Sequence, residues 1–179
     1  VPNKQEFNIA LLRGINVGGK HILPMKDLSA IFIASGCTDV KTYIQSGNVI
    51  FRAPPKLMKS LASDVATRIF SGFGIHSPVI LRTHAELAAV VENKPFSEKD
   101  LYVMFLADLP NPESLEKLDP HRSPPDEFIV RNREIYLNVL TGAAKSKLTN
   151  QYFDSRLKTI STARNWRTVL KLLELTSPE

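Results

Sequence analysis

Cysteine is almost missing from the 179-residue chain: Cys37 stands alone. One thiol excludes an intrachain disulfide framework and leaves no thiolate set for a structural zinc or iron–sulfur centre. The histidines His21, His76, His84 and His121 show no metal-ligand spacing, so neither a metal nor another cofactor is expected. No stretch approaches the ~18 apolar residues that span a bilayer. The opening Val-Pro-Asn-Lys-Gln-Glu-Phe has no apolar core behind a basic head. The expectation is therefore a reduced, cytoplasmic protein with no membrane contact. Compositional bias is missing too, since 43% hydrophobic and 23% charged residues place the chain among ordinary globular proteins and exclude disordered, collagen-like and disulfide-scaffold classes. The length allows one domain or two small ones.

The net charge of +5 is uneven. Residues 1–93 carry 10 basic and 6 acidic side chains, 94–140 carry 6 and 9, and 141–179 carry 7 and 3. Basic ends around an acidic middle permit a phosphate-rich partner without demanding one. The acidic residues Glu113, Glu116, Asp119, Asp126 and Glu127 read as solvated helix and loop, not as a paired acid/base site.

Hydrophobic periodicity orders the elements. Phe7–Arg13 is a short apolar run that stops at a Gly-rich segment, as a buried strand does. Pro24 then opens a helix with Met25, Leu28, Ile31 and Phe32 on one face, and Gly36 closes it. Val40–Gln45 and Asn48–Arg52 form a hairpin around Ser46-Gly47. Leu57, Leu61, Val65 and Ile69 recur every four residues and predict a second helix. A strand at Val79–Arg82 follows, then a helix opened by Thr83 and Glu86 in capping-box spacing.

The order then returns. Tyr102–Ala107 is a strand, Asn111-Pro112-Glu113 starts a short helix, and Phe128–Arg131 with Ile135–Val139 make a hairpin around Asn132-Arg133. Leu148, Tyr152 and Phe153 mark a helix, Lys158–Ser161 a strand, and Trp166, Val169, Leu170 and Leu173 a last helix. Five of the 12 prolines lie between Pro110 and Pro125, which reads as an irregular crossover inside the second repeat and not as a linker. The fold class expected is α+β, a duplicated βαββαβ (ferredoxin-like, split-βαβ) arrangement with antiparallel sheets. The two units would be residues 1–94 and 95–179, joined near Lys94-Pro95. Because a crossover joins the first two strands, they run the same way, and Arg13–His21 should lie beside Gln45–Asn48 at one sheet edge.

That edge carries the chemistry. Arg13-Gly14-Ile15-Asn16-Val17-Gly18-Gly19-Lys20 holds three of the eight glycines and two cations, and glycines let backbone amides crowd around an anion. Gly14 to Lys20 fits a nucleotide-phosphate loop until His21 stands where a Ser or Thr would hold magnesium. Ile22, Leu23 and Pro24 then separate Lys20 from the helix. The ligand-binding residues expected are Arg13, Asn16, Gly18, Gly19 and Lys20, with Gln45 and Ser46 from the hairpin. A third segment, Ser161-Thr162-Ala163-Arg164-Asn165-Trp166-Arg167, places Arg164 near a helix start and adds it to the set. Its plainer reading is that Thr162 or Asn165 caps the helix and Trp166 fills the core. Cys37 reads as a small buried residue. No catalytic residue can be assigned.

Three motifs in this order, Leu11-Leu12-Arg13-Gly14-Ile15-Asn16-Val17-Gly18-Gly19-Lys20, Tyr43-Ile44-Gln45-Ser46-Gly47-Asn48-Val49 and Thr162-Ala163-Arg164-Asn165-Trp166, resemble a widespread, mainly bacterial family of cytoplasmic proteins classified as a domain of unknown function. The resemblance covers nearly the whole chain and implies a duplicated α+β fold. It brings no established activity, cofactor or catalytic residue. The residues themselves favour a protein that binds a phosphate-bearing anion. The alternatives are a single-stranded nucleic-acid-binding protein, which would use the helix-free sheet face, and a transferase or hydrolase acting on a phosphorylated metabolite. A protein partner or a structural role also remains compatible.

Overall fold

The computed structural model describes residues 5–177. Its elements follow the chain as β1 (Phe7–Leu12), α1 (Met25–Ala34), β2 (Thr38–Tyr43), β3 (Asn48–Arg52), α2 (Pro55–Phe73), β4 (Val79–Thr83) and α3 (His84–Glu92). The order then repeats as β5 (Leu101–Leu106), α4 (Pro112–Leu115), β6 (Glu127–Arg131), β7 (Glu134–Asn138), α5 (Asn150–Leu157), β8 (Ser161–Asn165) and α6 (Trp166–Thr176). The two sheets are antiparallel, in the orders β2-β3-β1-β4 and β6-β7-β5-β8. This is the duplicated split-βαβ arrangement that the periodicity predicts.

The chain divides into two compact units. The first runs to Ala88 and takes in the end of α6 from Leu172, and the second is Ala89–Lys171. The division thus falls inside α3, ahead of Lys94-Pro95, and the C-terminal helix is shared between the units. In the first unit Ala10, Leu12, Val49 and Phe51 face Leu28 and Phe32 of α1 and Leu61, Val65 and Ile69 of α2. The four-residue spacing on α2 is what makes one continuous stripe. Gly74 ends that helix in the left-handed conformation, its amide donating to Phe70 O at 2.8 Å. In the second unit Met104, Leu106, Ile135 and Leu137 pack with Tyr152, Phe153 and Leu157 of α5.

Local chemistry sets the helix starts. Thr83 and Glu86 form the reciprocal pair expected of a capping box: Thr83 N donates to Glu86 Oε2 at 2.8 Å and Glu86 N to Thr83 Oγ1 at 3.1 Å. Asn111 caps α4 and Thr149 caps α5 through their side-chain oxygens. The last strand departs from expectation. It is Ser161–Asn165 and not Lys158–Ser161, because Lys158 adopts φ +55° as the left-handed cap that stops α5. Thr162 and Arg164 therefore lie within a strand and not in a loop before α6.

Candidate site at the β1 and hairpin edge

The antiparallel pairing of β1 with β3 and of β3 with β2 makes β1 and β2 run the same way. The Gly-rich segment and the hairpin tip consequently share an edge. Leu12 N donates to Gly47 O at 2.8 Å, and Asn16 Nδ2 donates to Gln45 O at 3.0 Å. Arg13 is anchored through its backbone, its N–H donating to Pro78 O at 3.2 Å and its carbonyl accepting from Ser77 Oγ at 2.8 Å.

The segment is a folded loop of its own. Its backbone enters the left-handed region at Gly14, Asn16, Gly18, Gly19 and His21. Val17 and Lys20 pair across a tight turn whose two central residues, Gly18 and Gly19, have φ +57° and +73°. Positive φ at both positions is the requirement of a type I′ turn, and it explains both glycines without a ligand. Asn16 closes the loop. Its amide accepts from Leu23 N at 2.8 Å and donates to Leu23 O at 2.9 Å, and its backbone N–H donates to His21 O at 3.0 Å. Asn16 thus positions the loop against the hairpin with both ends of its side chain engaged. Lys20, Gln45 and Ser46 are exposed and Arg13 is half-buried.

The likeness to a nucleotide-triphosphate loop ends here. No helix starts at Lys20: α1 begins at Met25, after Ile22, Leu23 and Pro24. At the hairpin tip, Ile44 has φ +48° and stands exposed. A β-branched residue there is strained. Val17 and Ile22 of the Gly-rich segment are exposed as well. Sequence reasoning passed over these three aliphatic side chains because hydrophobic residues in short alternating runs are ordinarily assigned to the core.

Arg164 lies elsewhere, in the second unit, on β8. It is 8% exposed, with Nη1 donating to Thr162 Oγ1 and to Ala163 O, both at 2.8 Å. Burial pushes its guanidinium down to about 10, so it stays charged at neutral pH. Asn165 caps α6 by accepting from Thr168 N at 2.9 Å, and Trp166 is buried. The third motif is thus accounted for by strand, cap and core. Sequence reasoning also missed Arg82, 1% exposed on β4. The available signal was that Arg82-Thr83 and Arg164-Asn165 are each an arginine followed by a helix cap.

Two other readings meet the structure. Cys37 is buried, and burial, with the Asp64 carboxylate adding to it, pushes its thiol up to about 11. Of the acidic group, Glu113, Glu116, Asp119 and Glu127 are exposed, but Asp126 is buried and not solvated as expected. It accepts from Thr141 N at 2.9 Å, Thr141 Oγ1 at 2.7 Å and Ser123 Oγ at 3.0 Å. Among the described residues no group of three His, Cys, Asp or Glu gathers as a metal site, and no helix is long and apolar enough to cross a membrane.

The two four-stranded antiparallel sheets with their helices define a duplicated ferredoxin-like α+β fold. Residues 6–136 match the family described as "Protein of unknown function (DUF1697)", and the chain belongs to that family. It is similar in structure to the conserved bacterial protein SP0830 from Streptococcus pneumoniae, with a TM-score of 0.69 and 20% identity over 96% of this chain and 99% of that one. That likeness concerns the fold. No curated protein matches.

Proposed function

We propose that the protein binds a small phosphate-bearing anion at the edge formed by Arg13–Lys20 and Gln45–Ser46. The observation that supports this reading is the Asn16 bridge, which holds the left-handed loop and the hairpin tip together beside an exposed cation, Lys20. Glycine-rich left-handed backbone leaves amides unobstructed by a Cβ, the setting in which they gather around an anion. Arg13 and Lys20 supply charge, Gln45 and Ser46 supply neutral polar groups, and Val17, Ile22 and Ile44 offer apolar contact to the rest of the ligand. Asn16 is a positioning residue in this scheme. Gly18 and Gly19 supply the positive φ of the turn, and the space around them is open, since a Cβ at either would meet nothing within 4 Å.

The nucleic-acid alternative draws less support. It requires an accessible sheet face opposite the helices, and Ile9, Leu11 and Ile50, which point away from α1 and α2, are at most 1% exposed.

The test is a thermal-shift and calorimetric titration with inorganic phosphate, pyrophosphate, a hexose phosphate and a short oligonucleotide. One small phosphate should bind saturably, and at 100 times its Kd it should stabilise the protein by about 2.7 kcal/mol. Arg13→Ala with Lys20→Ala should abolish this effect. A single anion should also titrate gently with salt, where an oligonucleotide contacting several phosphates would lose affinity steeply. A panel in which no phosphate binds, or in which the double variant binds equally well, overturns the reading.

A further inference from the structure

The second unit contains a pocket between its sheet and the loop that leads into α5. Its volume is about 280 Å³, and Tyr102, Met104, Leu137 and Ala163 of the sheet form its floor. Asn150 and Asn165 stand at its side, and Ala143 and Ser146 come from the loop between β7 and α5.

Register gives each floor residue a counterpart. Met104 pairs with Ile135 and Ala163 as Ala10 pairs with Val49 and Leu81, and Tyr102 pairs with Leu137 and Asn165 as Asn8 pairs with Phe51 and Thr83. In the first unit Leu57, Met58 and Leu61, from the first two turns of α2, pack into the core cluster that also holds Ala10, Phe51 and Leu81. That helix has 19 residues and α5 has 8. The shorter helix, together with Ala163 standing where the first unit has Leu81, puts less side-chain volume over this part of the second sheet. The loop that leads into α5 is tied down. Thr141 N donates to Asp126 at 2.9 Å, and Lys147 N donates to Ser123 Oγ at 3.0 Å. These hydrogen bonds fix the loop that forms the pocket wall.

We propose that this pocket binds a neutral, planar ring compound with an apolar face and a hydrogen-bonding edge, the class that includes indole and the free nucleobases. The volume is nearly twice the ~150 Å³ that accepts benzene and just under the ~300 Å³ at which ligand pockets usually begin, which sets the size at one or two rings. No charged side chain lines it, so an ionised ligand would go unpaired. Met104, Leu137 and Ala163 suit a ring face, Tyr102 adds an aromatic surface, and Asn150, whose Nδ2 donates to Ser161 Oγ, and Asn165, whose Oδ1 caps α6, suit a polar edge with the remaining atoms of their amides. This site is independent of the phosphate reading, since its lining shares no residue with the β1 edge.

The experiment is calorimetric titration of indole, adenine, uracil and benzimidazole, with benzoate and phenylphosphonate as charged counterparts, alongside amide NMR shifts. The neutral rings should bind saturably with Kd on the order of 10⁻⁴ M and shift the Tyr102, Met104 and Asn165 signals. Charged counterparts should bind at least about tenfold more weakly. Ala163→Leu restores the first unit's residue and should weaken binding at least about tenfold. Ala143→Leu fills the pocket from an exposed loop position, so it gives the same readout if the core variant misfolds. Absence of saturable binding by every neutral ring, equal binding of the charged compounds, or binding unchanged in folded Ala143→Leu overturns the proposal.

Discussion

Arg82 and Arg164 occupy the same register position in the two sheets, opposite Ile9 in one and Val103 in the other. Each guanidinium donates through Nη1 to the carbonyl of the residue before it, at 2.9 Å to Leu81 O and 2.8 Å to Ala163 O. Both are followed by the residue that caps the next helix, Thr83 for α3 and Asn165 for α6. A buried arginine repeated in both halves of a duplicated chain is part of the architecture. Keeping it charged inside requires its hydrogen bonds to be met.

Truncating either arginine removes that network and opens a void. We expect Arg82→Ala and Arg164→Ala each to lower stability by about 2–4 kcal/mol, through the cavity and the stranded acceptors. Lysine keeps the charge but not the planar fork of donors, so Arg→Lys should recover only part of the loss. Urea unfolding of the four single variants measures this. A loss below about 0.5 kcal/mol at either position would contradict the shared role.

Much of this fold is legible in the sequence because its elements have strong periods and clear punctuation. The four-residue rhythm from Leu57 to Ile69 and the Thr83/Glu86 spacing translate directly into α2 and the capped start of α3. The adjacency of Arg13–Lys20 and Gln45–Ser46 follows from strand direction alone, and the Asn16 to Gln45 contact is its consequence. What escapes is position within β8. Ser-Thr-Ala-Arg-Asn carries no apolar alternation, so nothing local marks it as a strand, and only pairing with β5 makes it one. Arg164 was accordingly read as a ligand contact, when its burial on β8 comes from tertiary packing. The pocket in the second unit was illegible for a related reason. It depends on α5 being shorter than α2, and Leu148, Tyr152 and Phe153 do not fix where that helix begins.

Two glycines at the candidate site separate conformational from steric demand. Gly47 has φ +81°, and a Cβ there would stand 2.8 Å from Leu12 Cβ and 3.1 Å from Ile15 Cδ1. Gly18 has φ +57° and open space around it. The left-handed conformation costs an alanine about 1–2 kcal/mol at either position. Overpacking against a strand residue adds about 1–3 kcal/mol at Gly47 only. Gly47→Ala should therefore be clearly the more destabilising substitution, and Gly18→Ala should leave the hairpin intact. Thermal unfolding of both variants decides the order, and equal losses would mean that the close approach of Gly47 to Leu12 carries no cost.

Asp126 gives the second unit a pH dependence whose sign can be worked out. Burial raises its carboxyl, but the hydrogen bonds from Thr141, Ser146 and Ser123 together outweigh this and leave it below the ordinary carboxylate value. A carboxyl whose folded pKa lies below its unfolded value of about 3.9 contributes stability above that value and loses it as pH falls through the folded pKa. Asp126→Ala should thus destabilise the protein by about 1–3 kcal/mol at pH 7, where it strands the Ser123 and Thr141 donors. The gap between variant and parent should narrow as pH drops below about 4. Because Asp126 also holds Thr141 in the loop that walls the pocket, the substitution should weaken ring binding at neutral pH while the protein remains folded. Urea unfolding at pH 7 and pH 3, with an indole titration at pH 7, tests both halves. A stability gap that is unchanged between the two pH values would show that the Asp126 carboxylate is not the group that fastens this loop.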